Sequence, residues 1–392
     1  MTLPSRASRR LRVLFVVQGE GRGHLTQALA AAEMLRRAGH EVAGAVVGAS
    51  ARRCLPGFFA DGLAAPVERV ASPNFVAGRD GRIRPLATAA GAVAGLPRYA
   101  ASLRQLAAVL DRVEPDVVLT FYEGLAGAHA RLRGFDVPVV AVGHQFFFAH
   151  PAYPFAPGQP LQRAAALAYT RLAGAGAEAR LALSFYDAPP HDGITVTPPL
   201  LRRGLFARDG RATDGSLVVY LMEPAMARDL AAWSDHRPDV RVHCFSDVRP
   251  HAHSAALTFH ALSGEAFLDR MPVARGVVCT AGFESVSEAF WLGVPVLMTP
   301  TPGHYEQRCN AADAEAAGAG LSADSLDLSR FLDWLDARPE GPPPASLRFR
   351  AWVAEAGTRL VGTVERAAGL APAWPVPSGD GQAGDALPVV RA

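Results

Sequence analysis

Gly276-Val277-Val278-Cys279-Thr280-Ala281-Gly282-Phe283-Glu284-Ser285 passes from an apolar run, through a glycine turn, into a helical stretch carrying Glu288. The run has no polar alternation, so it reads as a strand buried on both faces, the habit of a parallel sheet covered by helices. Leu292-Gly293-Val294-Pro295 supplies a glycine stop, and a proline then leads into the next strand. That strand, within Val294–Thr299, ends in the loop Thr301-Pro302-Gly303, and His304-Tyr305-Glu306-Gln307-Arg308-Cys309-Asn310 opens another helix. Strand, glycine turn and helix in this order are the unit of a doubly wound fold.

Working outward, the same unit recurs along the chain. Strands are expected at Arg12–Gln18, Glu41–Val47, Asp116–Phe121, Val137–Val142 and Ala182–Phe185, then at Ser216–Leu221, Val240–Phe245, Gly276–Thr280 and Val294–Thr299. Helices are expected at His24–Ala38, Leu86–Val113 with a break at Pro97, Gly124–Arg133, Phe283–Leu292, Tyr305–Ala317 and Leu347–Ala368. Thr197-Pro198-Pro199 through Asp214-Gly215 reads as a linker. The fold class expected is α/β, with two Rossmann-like doubly wound domains, residues 1–198 and 199–369, and an aperiodic, disordered tail over 370–392.

Composition narrows the function classes. The chain has 392 residues, 49% of them apolar, enough for two cores. A net charge of +2 argues against nucleic acid as the main partner. Cys54, Cys244, Cys279 and Cys309 are scattered, which suits free thiols in a reducing compartment. Ser8-Arg9-Arg10 resembles the start of an export signal, but Arg12 interrupts the apolar segment that should follow. No run approaches the roughly 20 apolar residues of a membrane span. A cytoplasmic location is expected, with contact at a membrane surface left open.

Three stretches carry the chemistry. In the second half, Gly282 allows close approach of a phosphate, Ser285 can donate its hydroxyl at a helix N-terminus, and Glu288 lies about one turn inside, where a carboxylate can accept both hydroxyls of a ribose. Glu306, Gln307 and Asn310 share adjacent helix surface and suit sugar hydroxyls, although the same residues would also serve as a capped helix start. In the first half, Gln18-Gly19-Glu20-Gly21-Arg22-Gly23-His24 joins a strand to a helix, and Gly21, Arg22 and Gly23 form a turn that is either an anion site or purely structural. The positive end of that helix disfavours protonated His24, and a neutral imidazole is what a general base needs. The third stretch, Gly143-His144-Gln145-Phe146-Phe147-Phe148-Ala149-His150, follows a strand, with His144, Gln145 and His150 as acceptor-side candidates; its aromatics line a pocket or pack an interdomain floor. His251 and His253 near Asp247 are weak evidence for a metal, and none is expected.

The Gly282-Phe283-Glu284-Ser285…Glu288 turn together with His304…Glu306-Gln307…Asn310 resembles the donor half of GT-B glycosyltransferases, the group that includes MurG, monogalactosyldiacylglycerol synthase and the UDP-glycosyltransferases. The loop Gln18–Ala28 is similar to the acceptor-side glycine loop of MurG-like proteins. The resemblance implies two domains facing across a cleft, with His24 as catalytic base or acceptor-orienting group. It implies that Gly282, Phe283, Glu284 and Ser285 hold a diphosphate, that Glu288 binds the ribose, and that Glu306 and Gln307 read the donor sugar. His304 and Asn310 would contact substrate. The nucleotide sugar, UDP-linked by preference, is then a co-substrate, with no cofactor and no metal. The acceptor is an unknown small molecule or lipid. An arginine that relatives often carry near the first strand of the second half is missing here, and Arg228 or Arg249 are the substitutes considered. The Leu86–Leu110 segment could lie on a membrane, but Arg98 and Arg104 are its only cations. Two alternatives are a nucleotide-sugar 2-epimerase on the same fold and a non-catalytic sugar-nucleotide-binding protein.

Overall fold

A computed structural model describes residues 9–50, 55–73, 85–210, 212–221, 223–250, 254–339 and 341–371. Residues 372–392 of the expected tail, Cys54, and both His251 and His253 lie outside the described residues.

Two parallel sheets organise the chain. The first is built from β1 (Arg12–Gln18), β2 (Glu41–Ala49), β3 (Val67–Ala71), β4 (Val117–Phe121), β5 (Val139–Gly143), β6 (Ala179–Leu183) and β7 (Ile194–Thr197) in the order β3-β2-β1-β4-β5-β6-β7. The second is built from β8 (Leu217–Tyr220), β9 (Val242–Phe245), β10 (Leu257–His260), β11 (Gly276–Cys279), β12 (Val296–Met298) and β13 (Gly320–Ser322) in the order β10-β9-β8-β11-β12-β13. Every pairing in both ladders is parallel. The central strands β4, β5 and β11 are buried at every position, as near-continuous apolar runs covered by helices on both faces must be. In each sheet the strand order reverses at one place, between β1 and β4 in the first and between β8 and β11 in the second. Crevices outside the carboxyl ends of strands open at such switch points.

Two helices depart from expectation. Pro85–Val113 is one continuous helix with Pro97 inside it. Proline strips the carbonyl four residues earlier of its partner, here that of Val93. Val93 and Pro97 both lie on the exposed side, where water can take over that bond, so the chain is not broken. Leu347–Ala368 is instead divided into Pro344–Val353 and Ala356–Ala367. The two pieces bury against different partners. Phe349 of the first stacks on Phe290 at 4.4 Å in the second half, whereas the second piece packs on β4 to β7. Residues 356–367 therefore return to cover the first sheet. No helix among the described residues is long and apolar enough to cross a membrane.

Candidate active site between the two halves

The turn after β1 begins with a steric requirement. A Cβ on Gly19 would lie 2.7 Å from Val47 Cγ1 and 3.0 Å from the Gly48 carbonyl, so only glycine lets β1 and β2 end this close together. Gly21 then caps the helix Arg22–Arg37 with no side chain bonded to its first amides and no acid in its first turn. Gly21 and Arg22 are exposed, and Gly23 faces Glu284 of the other half, whose Cβ would be 3.9 Å from an added Cβ.

His24 is buried in the first turn of this helix. Its ring stacks on Tyr122 at 5.8 Å and 22°, and its Nδ1 has no hydrogen-bond partner. Burial lowers its pKa, against smaller raising effects from Glu306 and Gln27, so the imidazole is neutral at pH 7. Tyr122 holds a left-handed φ of 54°, rare for an aromatic residue, at the end of β4 and so beside the switch point. The next residue, Glu123, is buried in a cradle: its carboxylate accepts from Ser72 Oγ at 2.6 Å and from the Leu125 amide at 3.0 Å, in space that exists because residue 48 is glycine. Burial pushes the Glu123 carboxyl up to about 7.

Gln145 joins the halves. Its Nε2 donates to Glu306 Oε1 at 2.9 Å and lies 3.5 Å from His24 Nε2. A second cross-half bond runs from Gln27 Nε2 to Glu284 Oε2 at 3.2 Å. Glu284 is buried, and burial together with neighbouring Glu288 holds its pKa well above the usual carboxylate range. Its side chain thus turns toward the first half, leaving its backbone amide for a diphosphate.

The donor turn follows β11. Ala281 sits at φ 58°, and Gly282 caps the helix Phe283–Leu292 with no side-chain cap bond, so the first helix amides receive nothing from that residue. Asn310 explains how Ala281 is held: its Nδ2 donates to the Ala281 carbonyl at 3.2 Å. Asn310 therefore shapes the turn through its Nδ2. Ser285 is half-buried within the first turn of that helix. Phe283 uses its side chain as an anchor, stacked on His144 at 4.0 Å and 15°. Glu288 is buried, and Arg202 grips both its oxygens, through Nε at 2.5 Å and Nη2 at 3.0 Å. Arg202, on the linker, is thereby tied to the helix that follows this turn, a cation not among the arginines considered from sequence. The basic pair Arg202-Arg203 in a proline-rich linker was the available signal.

The histidines expected near the site make structural bonds of their own. His150 spends both ring nitrogens on its own loops, Nε2 at 2.9 Å from the Pro189 carbonyl and Nδ1 accepting from the Ala152 amide at 3.1 Å, so it fastens the loop. His144 is buried beneath Phe283 and His304 accepts the Gln307 amide as a helix cap at 3.4 Å. Phe146, Phe147, Phe148 and Tyr153 are core residues, which decides for the packed floor over an aromatic pocket. Gln307 commits its carbonyl oxygen to the Thr301 amide at 2.7 Å, leaving its nitrogen end for a ligand. Among the described residues no three metal-ligating side chains come together.

Two parallel doubly wound sheets, each ending in a glycine turn where the halves meet, are the architecture of the GT-B fold. A model of glycosyl transferase family 1 matches residues 11–339, and the chain belongs to that family. It is 28% identical over 270 residues, 61% of this chain and 67% of the relative, to UDP-N-acetylglucosamine--N-acetylmuramyl-(pentapeptide) pyrophosphoryl-undecaprenol N-acetylglucosamine transferase of a Nocardioides species. It is 40% identical over 68 residues to the Mycolicibacterium smegmatis protein of the same name, a match spanning 16% of this chain and 18% of that one. Among solved structures, the glycotransferase of kitacinnamycin superposes with a TM-score of 0.63 at 16% identity over 92% of this chain and 99% of that one. The spinosyn rhamnosyltransferase SpnG gives 0.59 at 18% identity over 91% and 100%. At these identities the structural likeness carries the fold.

Proposed function

We propose that this glycosyltransferase moves a hexose-type sugar from a nucleoside diphosphate, UDP favoured, to a hydroxyl of an acceptor held by the first half. The observation that carries the reading is the His24–Gln145–Glu306 contact, in which one amide nitrogen meets both a neutral histidine and a carboxylate. His24 takes the acceptor proton as the acceptor oxygen bonds to the sugar's anomeric carbon. The bond from that carbon to the diphosphate breaks, and the leaving group carries its charge toward the uncapped amides of Gly282–Ser285. Arg202 stands beside that turn as the cation for the diphosphate, and release of Glu288 from Arg202 frees its carboxylate for the ribose. With these donors in place the transfer calls for no metal and no cofactor.

UDP is supported by the name of the Nocardioides relative. The acceptor is a small molecule or lipid. None of the relatives named above is an epimerase, so the transfer reading stands ahead of that alternative. The buried free thiols of Cys244, Cys279 and Cys309 favour a reducing cytoplasm. Contact with a membrane surface would fall on the exposed Val93 and Leu96 beside Arg98.

The test is incubation with UDP-, dTDP- and GDP-sugars, with and without acceptor extracts. Nucleoside diphosphate release with a glycosylated product supports transfer. A 2-epimer supports the epimerase, and tight binding without turnover supports a binding protein.

A further inference from the structure

Beneath the donor turn a buried polar contact joins the two halves through groups not yet assigned a role. His144 follows β5 in the first half, and Asp313 lies on the helix Tyr305–Ala316 in the second, one turn beyond Asn310. His144 Nδ1 lies 2.7 Å from the Leu183 carbonyl. A carbonyl can only accept, so Nδ1 carries the ring hydrogen and the neutral ring holds its lone pair at Nε2. Asp313 Oδ1 accepts the Tyr186 hydroxyl at 2.7 Å. His144 Nε2 and Asp313 Oδ2 are left facing each other at 3.9 Å, just beyond hydrogen-bond reach, in residues 1% and 0% exposed, with the Asn310 side chain as the other polar group at the His144 ring. Two acceptors opposed in a dry interior are costly, and one shared proton removes the cost. The other side of the contact matters as much. The His144 ring is stacked on Phe283, the first residue of the helix whose N-terminus is the donor turn.

We propose that Asp313 is a positioning residue: its carboxyl carries a proton on Oδ2 directed at the His144 Nε2 lone pair, the two atoms closing from 3.9 Å to hydrogen-bond distance when the donor site is filled. Through the His144–Phe283 stack this contact seats the donor turn against the half that carries His24. The role deepens the donor site proposed above and rests on it. Burial acts on both partners in the required sense, raising Asp313 to about 7 and lowering His144 to about 4. The groups facing the pair are Tyr153, Tyr186 and His24 from the first half, and Glu306, Cys309 and Asn310 from the helix of Asp313. No arginine or lysine is among them, so the ionised carboxylate has only the Tyr186 hydroxyl to stabilise it.

The sign of the pH dependence follows. A carboxyl whose folded pKa is raised contributes fully below its unfolded value, and the contribution is lost as pH climbs to the folded value. Asp313→Asn keeps an acceptor for Tyr186 and a donor for His144 but has no proton to lose. The melting temperature of the wild type should therefore fall relative to that of D313N between about pH 4 and pH 7 and run level with it above. Glu123 titrates in both proteins and cancels. In kinetics, the wild-type KM for UDP-sugar should rise several-fold above pH 7 while that of D313N stays flat, and Asp313→Ala should be weak at every pH. Parallel melting curves for wild type and D313N, or a doubly protonated His144 in nitrogen-15 NMR at pH 6, would overturn the bond. Diverging curves with a wild-type KM insensitive to pH would overturn the positioning role. If no variant binds any sugar nucleotide, the donor reading fails, and the melting curves still decide the Asp313–His144 bond.

Discussion

Gln145 Nε2 donates to Glu306 at 2.9 Å while lying 3.5 Å from His24 Nε2, so one amide touches the proposed base and the proposed sugar-reading acid at once. Glu306 also acts on His24 electrostatically, raising a pKa that burial lowers. Replacing Glu306 by Gln removes the raising effect and leaves the lowering one. The acidic limb of the kcat/KM profile, set by deprotonation of His24, should move to lower pH. Loss of the sugar contact should lower kcat/KM by roughly 10- to 100-fold at the plateau. Profiles measured between pH 4.5 and 8 check both; an acidic limb moved to higher pH would separate Glu306 from His24.

Arg202 and Glu288 form a bidentate pair in which the carboxylate is buried and the guanidinium about one-quarter exposed. Arg202→Ala strands that carboxylate and should cost about 3–5 kcal/mol of stability. The double change Arg202→Met with Glu288→Gln should recover most of it, since no buried charge is left. Denaturant unfolding measures both. Nucleotide binding should be weak in the single and the double variant alike, which separates folding from function.

Glu123 offers a test of the first half. Its carboxyl is pushed up to about 7 by burial, from an ordinary 4.5. The folded state therefore holds a proton that the unfolded state releases, and stability falls as pH rises from about 4.5 to 7. Glu123→Gln removes this term and should stabilise the protein at pH 8 by up to roughly 3 kcal/mol relative to its effect at pH 4. Urea titrations at the two pH values check it, and equal effects at both would mean Glu123 is ionised in the folded protein.

Ala281 and Asn310 make a matched pair, a left-handed backbone and the amide that holds its carbonyl. Asn310→Ala should cost about 1–2 kcal/mol and raise the Kd for nucleotide by loosening the turn. Adding Ala281→Gly removes the steric penalty of the left-handed residue, about 1 kcal/mol, and should restore much of the stability. Calorimetry on the single and double variants tests this, and a stability gain without recovery of binding is the expected split.

What could be read from sequence follows from where order originates. Strands such as β1, β4 and β11 announce themselves because burial on both faces makes them near-continuous apolar runs. Short or edge strands do not: β7, β10 and β13 hold three or four residues of mixed character, and their pairing comes from neighbours far away in sequence. The glycine turns were legible because only that residue tolerates the approach of Val47 to Gly19. Arg202, Asp313 and Glu123 were not, since each acquires meaning from a partner in another element: Glu288, His144 and the cradle beside Gly48. Histidines misled for the same reason. His150 looks like a ligand contact as a residue type, yet both its nitrogens are engaged in loop bonds, and His304 uses Nδ1 as a helix cap.

The central claim is that His24 accepts the acceptor's proton while the Gly282 turn holds the donor. The direct measurement is transfer by His24→Ala, with nucleotide-sugar binding followed in the same protein by calorimetry. Transfer should drop by about 100-fold or more, with the Kd for the nucleotide sugar nearly unchanged. Transfer at a near-normal rate, or loss of donor binding in step with it, would contradict the account.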